Sequence, residues 1–184
     1  LYLTKYDMNW KLNWKHYAII GAVNTGLPFL LFAYAALHIP ASYSVVLCST
    51  SPLFGAIFSS FWLGETLTKR KLVAILLGSV GVSLVANLDL ISELTTDFLL
   101  SVLACLGAAL CYSLGGIYVK KFAQSVRPRG TAAASQLMAG LFLLPFVPFS
   151  PIRGPIDNII IINILCLSIL CSAIAYLLYY RSVS

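Results

Sequence analysis

Six stretches of the chain, Tyr17 to Leu37, Ile39 to Gly64, Leu72 to Leu88, Phe98 to Val119, Gly130 to Ile152 and Asn158 to Tyr180, contain almost no charged side chain. Each is long enough to cross a bilayer as a helix, which takes roughly 20 apolar residues at about 1.5 Å each. The hydrocarbon core has no water to satisfy an open backbone, so a spanning segment of this kind must close its hydrogen bonds internally. The expected fold class is therefore all-α, a polytopic transmembrane helix bundle whose first partner is the lipid bilayer. A content of 60% hydrophobic and 10% charged residues, with a mean hydropathy of +0.91, lies far outside the range of a soluble domain.

A net charge of +6 raises the question of nucleic acid, but its distribution answers it. Lys5, Lys11 and Lys15 precede the first stretch, Lys69, Arg70 and Lys71 follow the second, Lys120, Lys121, Arg127 and Arg129 follow the fourth, and Arg181 closes the sixth. The other connections carry Asp89, Glu93 and Asp97, or only Arg153 with Asp157. Alternate loops are basic, as the positive-inside rule requires of cytoplasmic loops, and no nucleic-acid partner is expected.

Cys48, Cys105, Cys111, Cys166 and Cys171 all fall within apolar stretches. No CxxC occurs and no pair has the i, i+3 or i, i+4 offset of a helical metal site, so they read as small buried hydrophobes, with no metal and no cofactor. No HExxH, GxSxG or paired carboxylate falls within the spans, which argues against an enzyme. His16 and His38 stand at membrane edges, where anchoring or capping is the expected role. Residues 1–16 are polar and basic without the apolar core of a signal peptide. Trp10, Trp14 and Tyr17 beside Lys11 and Lys15 read as an interfacial belt, and a chain that does not begin with Met is expected to be a fragment lacking earlier spans.

Short connections such as His38 to Ser42 make neighbouring helices antiparallel, with Ser42 expected to cap the second helix and Thr68 the third. Small residues recur at four-residue spacing in Ser51, Gly55 and Ser59, in Gly107, Cys111 and Gly115, and in Ala18, Ala22 and Gly26, as close helix packing in lipid requires. Pro28 and Pro52 lie inside spans and predict kinks. Ser49, Thr50 and Ser51 directly precede Pro52 and can satisfy the freed carbonyls, so this loosened backbone is either a bent packing helix or the lining of a polar cavity.

In the sixth stretch Ser168, Ser172, Tyr176 and Tyr180 recur every four residues, a polar stripe unsuited to lipid. Sliding the chain so that Tyr34 lies over Tyr180 sets "LPFLLFAYAAL" against "AIAYLLYYRSV", with Leu31 and Leu177 also coinciding. Related helices five spans apart run in opposite senses, the arrangement of an inverted repeat built around a midplane site. The expected site residues are Tyr34, Tyr176 and Tyr180 with Ser168 and Ser172 on the same face, Asn24 as an amide deep in the first span, and the patch of Ser49, Ser51 and Pro52. Tyr180 lies near the cytoplasmic end, where it reads equally as an interfacial anchor, and Asn24 reads equally as a bond to a neighbouring helix. Glu65 at the membrane edge is expected to form an ionic latch with the basic loop that follows it.

The run "LPFLLFAYAALHIPASYSVVLCSTSPLFGAIFSSFWLGETLTKRKLVAILLGSVGVSLVA", Leu27 to Ala86, resembles the EamA domain of the drug/metabolite transporter superfamily. It shares the aromatic-rich helix with its Ala-Ser turn, the Ser-Pro helix ending in Leu-Gly-Glu, the basic loop, and a helix with paired glycines, here Gly78 and Gly81. "LLSVLACLGAALCYSLGGIYVKKFA" and "CSAIAYLLYYRSV" resemble the sixth and eighth helices of that family. The resemblance implies ten helices in two inverted halves, with residues 1–88 as the end of one repeat, 89–97 as an extracytoplasmic loop and 98–184 as the start of the next. Its partners would be a small-molecule substrate and the missing helices of the same protein. The implied function is a permease of the bacterial inner membrane that moves small metabolites such as amino acids by alternating access. The alternative is a noncatalytic membrane scaffold or assembly subunit, which needs packing seams but no polar interior. No Asp, Glu, Lys, Arg or His lies mid-membrane, so these spans supply no coupling carboxylate.

Overall fold

The structure is a computed structural model, and it describes residues 9–85, 95–124, 126, 128–149, 157–175, 178 and 182. Among these residues there is no strand, and four helical segments, Trp10–Ala35, Ala41–Leu63, Thr96–Phe122 and Gly130–Pro148, are long and apolar enough to span a membrane. The chain is an all-α polytopic bundle, as its hydropathy pattern predicts.

The first segment comprises α1 (Trp10–Gly21), a π-helical turn at Ala22–Gly26 and α2 (Leu27–Ala35). It starts about two turns before the predicted Tyr17, because Trp10 and Trp14 extend the apolar side of the helix past its basic residues, whose long stems reach outward. Pro28 has no N–H to offer the Asn24 carbonyl. The chain accommodates it without a break: the turn widens, the Leu27 N–H bonds back to Ala22 O, and Pro28 sits in the first turn of α2.

The second segment does break. Helix α3 (Ala41–Cys48) and α4 (Ser51–Leu63) are separated at Ser49 and Thr50. Pro40, not Ser42, occupies the N-cap position of α3 and no side chain caps it, since Ser42 already lies inside the helix. Gly64 ends α4 with φ of 69°, a left-handed stop that glycine adopts without a Cβ clash. Helix α5 (Lys69–Val85) follows, its start marked by the Lys71 N–H donating to Thr68 Oγ1 at 3.3 Å, as predicted for Thr68. Gly78 and Gly81 on α5 have open space where a Cβ would project.

Helix α6 (Thr96–Phe122) is the central post. Thr95 Oγ1 accepts from the Phe98 N–H at 3.2 Å, and Asp97 in the first turn with Lys120 and Lys121 in the last complement the helix dipole. Helix α7 (Pro128–Leu143) gives way to a 3-10 stretch at Leu144–Phe149, where Pro145 and Pro148 cannot sustain α-helical bonds, and the predicted end at Ile152 lies outside the described residues. Helix α8 (Asn158–Cys166) continues into a second π-helical stretch, Leu167–Ile174.

Contacts fix the directions. Tyr17 packs beside Val119 and Ala123 while Ala35 and Ile39 pack beside Cys105, so the first segment runs antiparallel to α6. Tyr43 meets Phe98 edge-on at 6.1 Å and Ser113 donates to Ser51 O, so the second runs parallel to it. Two apolar clusters result. One, with Tyr17, Ile20, Val119 and Ala132, lies at the C-terminal end of α6, and the other, with Ala35, Ile39 and Cys105, lies toward its N-terminal end. The basic ends predicted to share one side come together at the first cluster: Lys120, Lys121, Lys71, Glu65 and Trp62 meet there.

Candidate functional site

Between these clusters, at the interruption of the second segment, lies a hollow of about 570 Å³ lined by Asn24, Val45, Cys48, Ser49, Ser51, Pro52, Tyr112 and Ala175. Tyr112 stands about 15 Å from the C-terminal end of α6 at 1.5 Å per residue, deep within the span.

The backbone break is closed by its own hydroxyls. Ser49 Oγ donates to Val46 O at 2.6 Å, Thr50 Oγ1 to Leu47 O at 2.6 Å, and Ser51 Oγ to Cys48 O at 2.8 Å. The last supplies what Pro52 withholds, since position 52 would otherwise donate to that carbonyl. From α6 the Ser113 hydroxyl shares its one proton between Ser51 O at 2.6 Å and its own Ala109 O at 2.9 Å. Ser113 thereby ties the bend to α6.

Asn24 is 3% exposed and sits in the π turn, over Gly115 of α6. A Cβ at position 115 would meet Asn24 Oδ1 at 2.6 Å and Asn24 Cβ at 2.9 Å, so only glycine leaves room for the amide. Tyr112, one turn before Gly115, stacks obliquely on Phe32 with ring centroids 6.2 Å apart.

Two further hollows adjoin the first through Pro52. One of about 360 Å³ runs along Ser51, Gly55 and Ser59 of α4 and Tyr112, Ser113 and Gly116 of α6 to Lys120. The other, of about 520 Å³, passes between Ser49 and Pro52 and the face of α5 carrying Lys71, Ala74, Gly78 and Ser79. Both lysines bind one carboxylate: Lys71 Nζ lies 3.4 Å from Glu65 Oε2, and Lys120 donates to Glu65 Oε1. The predicted latch exists, and its second arm reaches across the bundle to α6.

Lys120, by hydrogen bond and charge, and Lys71 more weakly, hold the Glu65 carboxyl below its ordinary pKa of 4.5. A depressed carboxylate pKa adds stability that is present above the ordinary value and is lost as pH falls through the folded-state value. The thermal midpoint is therefore expected to decline as pH drops below about 4.5, and Glu65→Gln should flatten that decline. Melting curves of both proteins from pH 6 down to about pH 3 check this.

Of the predicted site residues, Asn24, Ser49, Ser51 and Pro52 line the central hollow. Tyr34 does not: it lies at the opposite end from the lysines, its ring 5.0 Å from His38. Ser168 is exposed and its hydroxyl donates to Leu165 O at 2.9 Å, away from the described hollows. Ser172 lies within the second π stretch, and Tyr176 and Tyr180 fall outside the described residues. Ala175 brings the sixth helix to the hollow. Tyr112, Ser113 and Cys48 are site residues that the sequence reading missed. The signal for Tyr112 was its place one turn from Gly115, in a seam already recognised.

The EamA-like transporter family matches residues 1–87 and 99–184. The uncharacterized transporter YvbV of Bacillus subtilis (strain 168) is 26% identical over 134 residues, 73% of this chain and 43% of that protein. Protein PecM of Dickeya dadantii (strain 3937) is 25% identical over 170 residues, 88% of this chain and 54% of that protein. The chain thus spans about half the length of the curated relatives it matches. A crystal structure titled only as that of a protein superposes with a TM-score of 0.75 at 19% identity, over 92% of this chain and 58% of the other, which shows a shared fold.

Proposed function

The chain belongs to the EamA-like transporter family, and from that premise we propose that it forms part of a permease for small metabolites, amino acids or related compounds among them. The observation that carries this reading is the hollow at the interrupted backbone, where Asn24, Ser51 and Tyr112 present polar groups within the span. Discontinuous helices that expose backbone only toward a protein-lined cavity are the usual setting of a transport site. A scaffold would need the glycine seams but not this chamber.

Residues 1–88 and 98–184 then belong to two inverted repeats joined through 89–97, and access to the chamber alternates between the two membrane faces. The two π-helical stretches support that relationship. When Tyr34 is laid over Tyr180, Ala22–Gly26 falls on residues 168–172, inside Leu167–Ile174. Two helices related by the repeat carry the same uncommon widening at the same place, and π turns are favoured at functional sites. The lysine-rich end faces the cytoplasm of a bacterial inner membrane under the positive-inside rule. Ser172, Tyr176 and Tyr180 contribute to the route from the sixth helix. The protein supplies a binding chamber and no covalent chemistry, and helices elsewhere in the complete protein finish its wall.

Liposomes holding the complete protein, offered a panel of radiolabelled amino acids and related small metabolites, test the reading. Transport above empty liposomes is expected, with Tyr176→Ala reducing it more than Tyr176→Phe. Transport equal in both variants would remove Tyr176 from the route, and none by the wild-type protein across the panel would favour the scaffold.

A further inference from the structure

Glu65 is anchored one residue after the left-handed Gly64 that terminates α4. A carboxylate there meets the unfavourable end of the α4 dipole, so what holds it is its two lysines. Those lysines are not generic surface charges. Lys120 forms the end of the hollow that leads through Ser51, Ser59, Ser113 and Tyr112 to the central chamber, and Lys71 lines the hollow on the other side of Pro52. Among the described residues lining the three hollows, these two carry the positive charge, and Glu65 binds both.

We propose that Lys120 is the anion-recognition residue of the permease and that Glu65 is its built-in competitor, a tethered carboxylate that yields Lys120 to a carboxylate on the cargo. The inference rests on the permease reading and deepens it by naming the recognised group. The exchange is physically easy. Lys120, Lys71 and Glu65 are all partly exposed, with side-chain exposures of 52%, 45% and 33%, and exposed ion pairs of this kind hold weakly. Replacing one carboxylate by another keeps the charge-assisted hydrogen bond to Lys120, whereas a neutral isostere would leave Lys120 with Glu65. Because Glu65 joins the start of α5 to the end of α6, its release also unties those two helices at the lysine-rich mouth. Occupancy by a carboxylate and loosening of that mouth are then one event, which biases the equilibrium between the two arrangements.

The test uses the complete protein in lipid nanodiscs and an isosteric pair of probes, phenylacetate and phenylacetamide, with affinity measured by calorimetry. Glu65→Gln removes the competitor and should tighten phenylacetate binding on the order of tenfold. Lys120→Gln should abolish the preference for the acid over the amide, and Lys120→Arg should retain it. Phenylacetamide should bind all four proteins alike. The inference is overturned if Glu65→Gln leaves phenylacetate affinity unchanged or weaker, if the amide tightens in step with the acid, or if Glu65→Gln binds no phenylacetate at all. Melting curves of each variant establish that it is folded. The affinity pattern without transport in liposomes would sink the permease reading alone, whereas transport with no acid preference would sink only the assignment of Lys120 and Glu65.

Discussion

Gly21→Ala is expected to destabilise the bundle by about 1–3 kcal/mol, the usual cost of overpacking a well-filled interface. A Cβ on Gly21 would stand 2.5 Å from Ser135 O and 2.9 Å from Ala139 N, both backbone atoms of α7, with Met138 Cβ at 3.0 Å. Backbone cannot rotate away as a side chain can, so α1 and α7 must separate along their whole contact. Lipid offers no hydrophobic compensation for the lost approach, because association there depends on packing itself. The contrast is Gly78→Ala on α5, where nothing lies within 4 Å and little change is expected. Thermal unfolding in detergent, monitored by circular dichroism, distinguishes the two. Equal midpoints for both variants would contradict the observed packing of α1 on α7.

Asn24→Leu should lower transport by the complete protein about tenfold or more, the rate equivalent of losing one hydrogen bond of about 1.4 kcal/mol in the bound or translocating state. Leucine keeps the branching of the amide and removes the polar group facing the chamber, and the cost of its greater bulk over Gly115 is read separately in the melting curve. If Asn24 served only to join helices, the effect would appear in the melting curve, where one interhelical hydrogen bond in a membrane contributes about 0.6 kcal/mol on average, and transport per folded molecule would be unchanged. Transport normalised to folded protein separates the roles.

Much of this architecture is legible in the sequence because hydrocarbon permits so few solutions. Four of the six expected spans, and the meeting of the lysines that follow the second and fourth, come from apolar length and the placement of lysines. The break before Pro52 is legible too, since three consecutive hydroxyls beside a missing N–H can hardly serve another local purpose. Asn24 stands out as an amide among apolar neighbours. Other features have no local signature. The partnership of Glu65 with Lys120 joins residues of α4's terminus and α6, and only the parallel packing of those helices brings them together. Tyr112 has only a partial one: it stands one turn before Gly115 in the seam, without periodicity to mark the side its ring faces.

The polar stripe of the sixth helix shows a different difficulty. Its spacing marks a polar face but not the neighbour that face meets: Ser168 is exposed and closes its hydroxyl on Leu165 O, while Ala175, outside the stripe, reaches the chamber. Tyr34 departs from expectation for a simpler reason. It lies in the last turn of α2, level with His38 and the apolar seal at Ile39, so the helix has already passed the chamber.

The most direct test of a water-filled chamber at the broken helix uses the protein's own thiols. Cys48 lines the hollow, whereas Cys105, about two turns before Tyr112 on α6, lies in the apolar seal and is fully buried. In the complete protein reconstituted in vesicles, variants retaining only one of these cysteines can be exposed to a charged, membrane-impermeant methanethiosulfonate on both faces. The chamber predicts that Cys48 reacts and Cys105 does not. Equal inertness of the two thiols toward that reagent, with Cys48 modified only by a lipid-soluble maleimide, would contradict it.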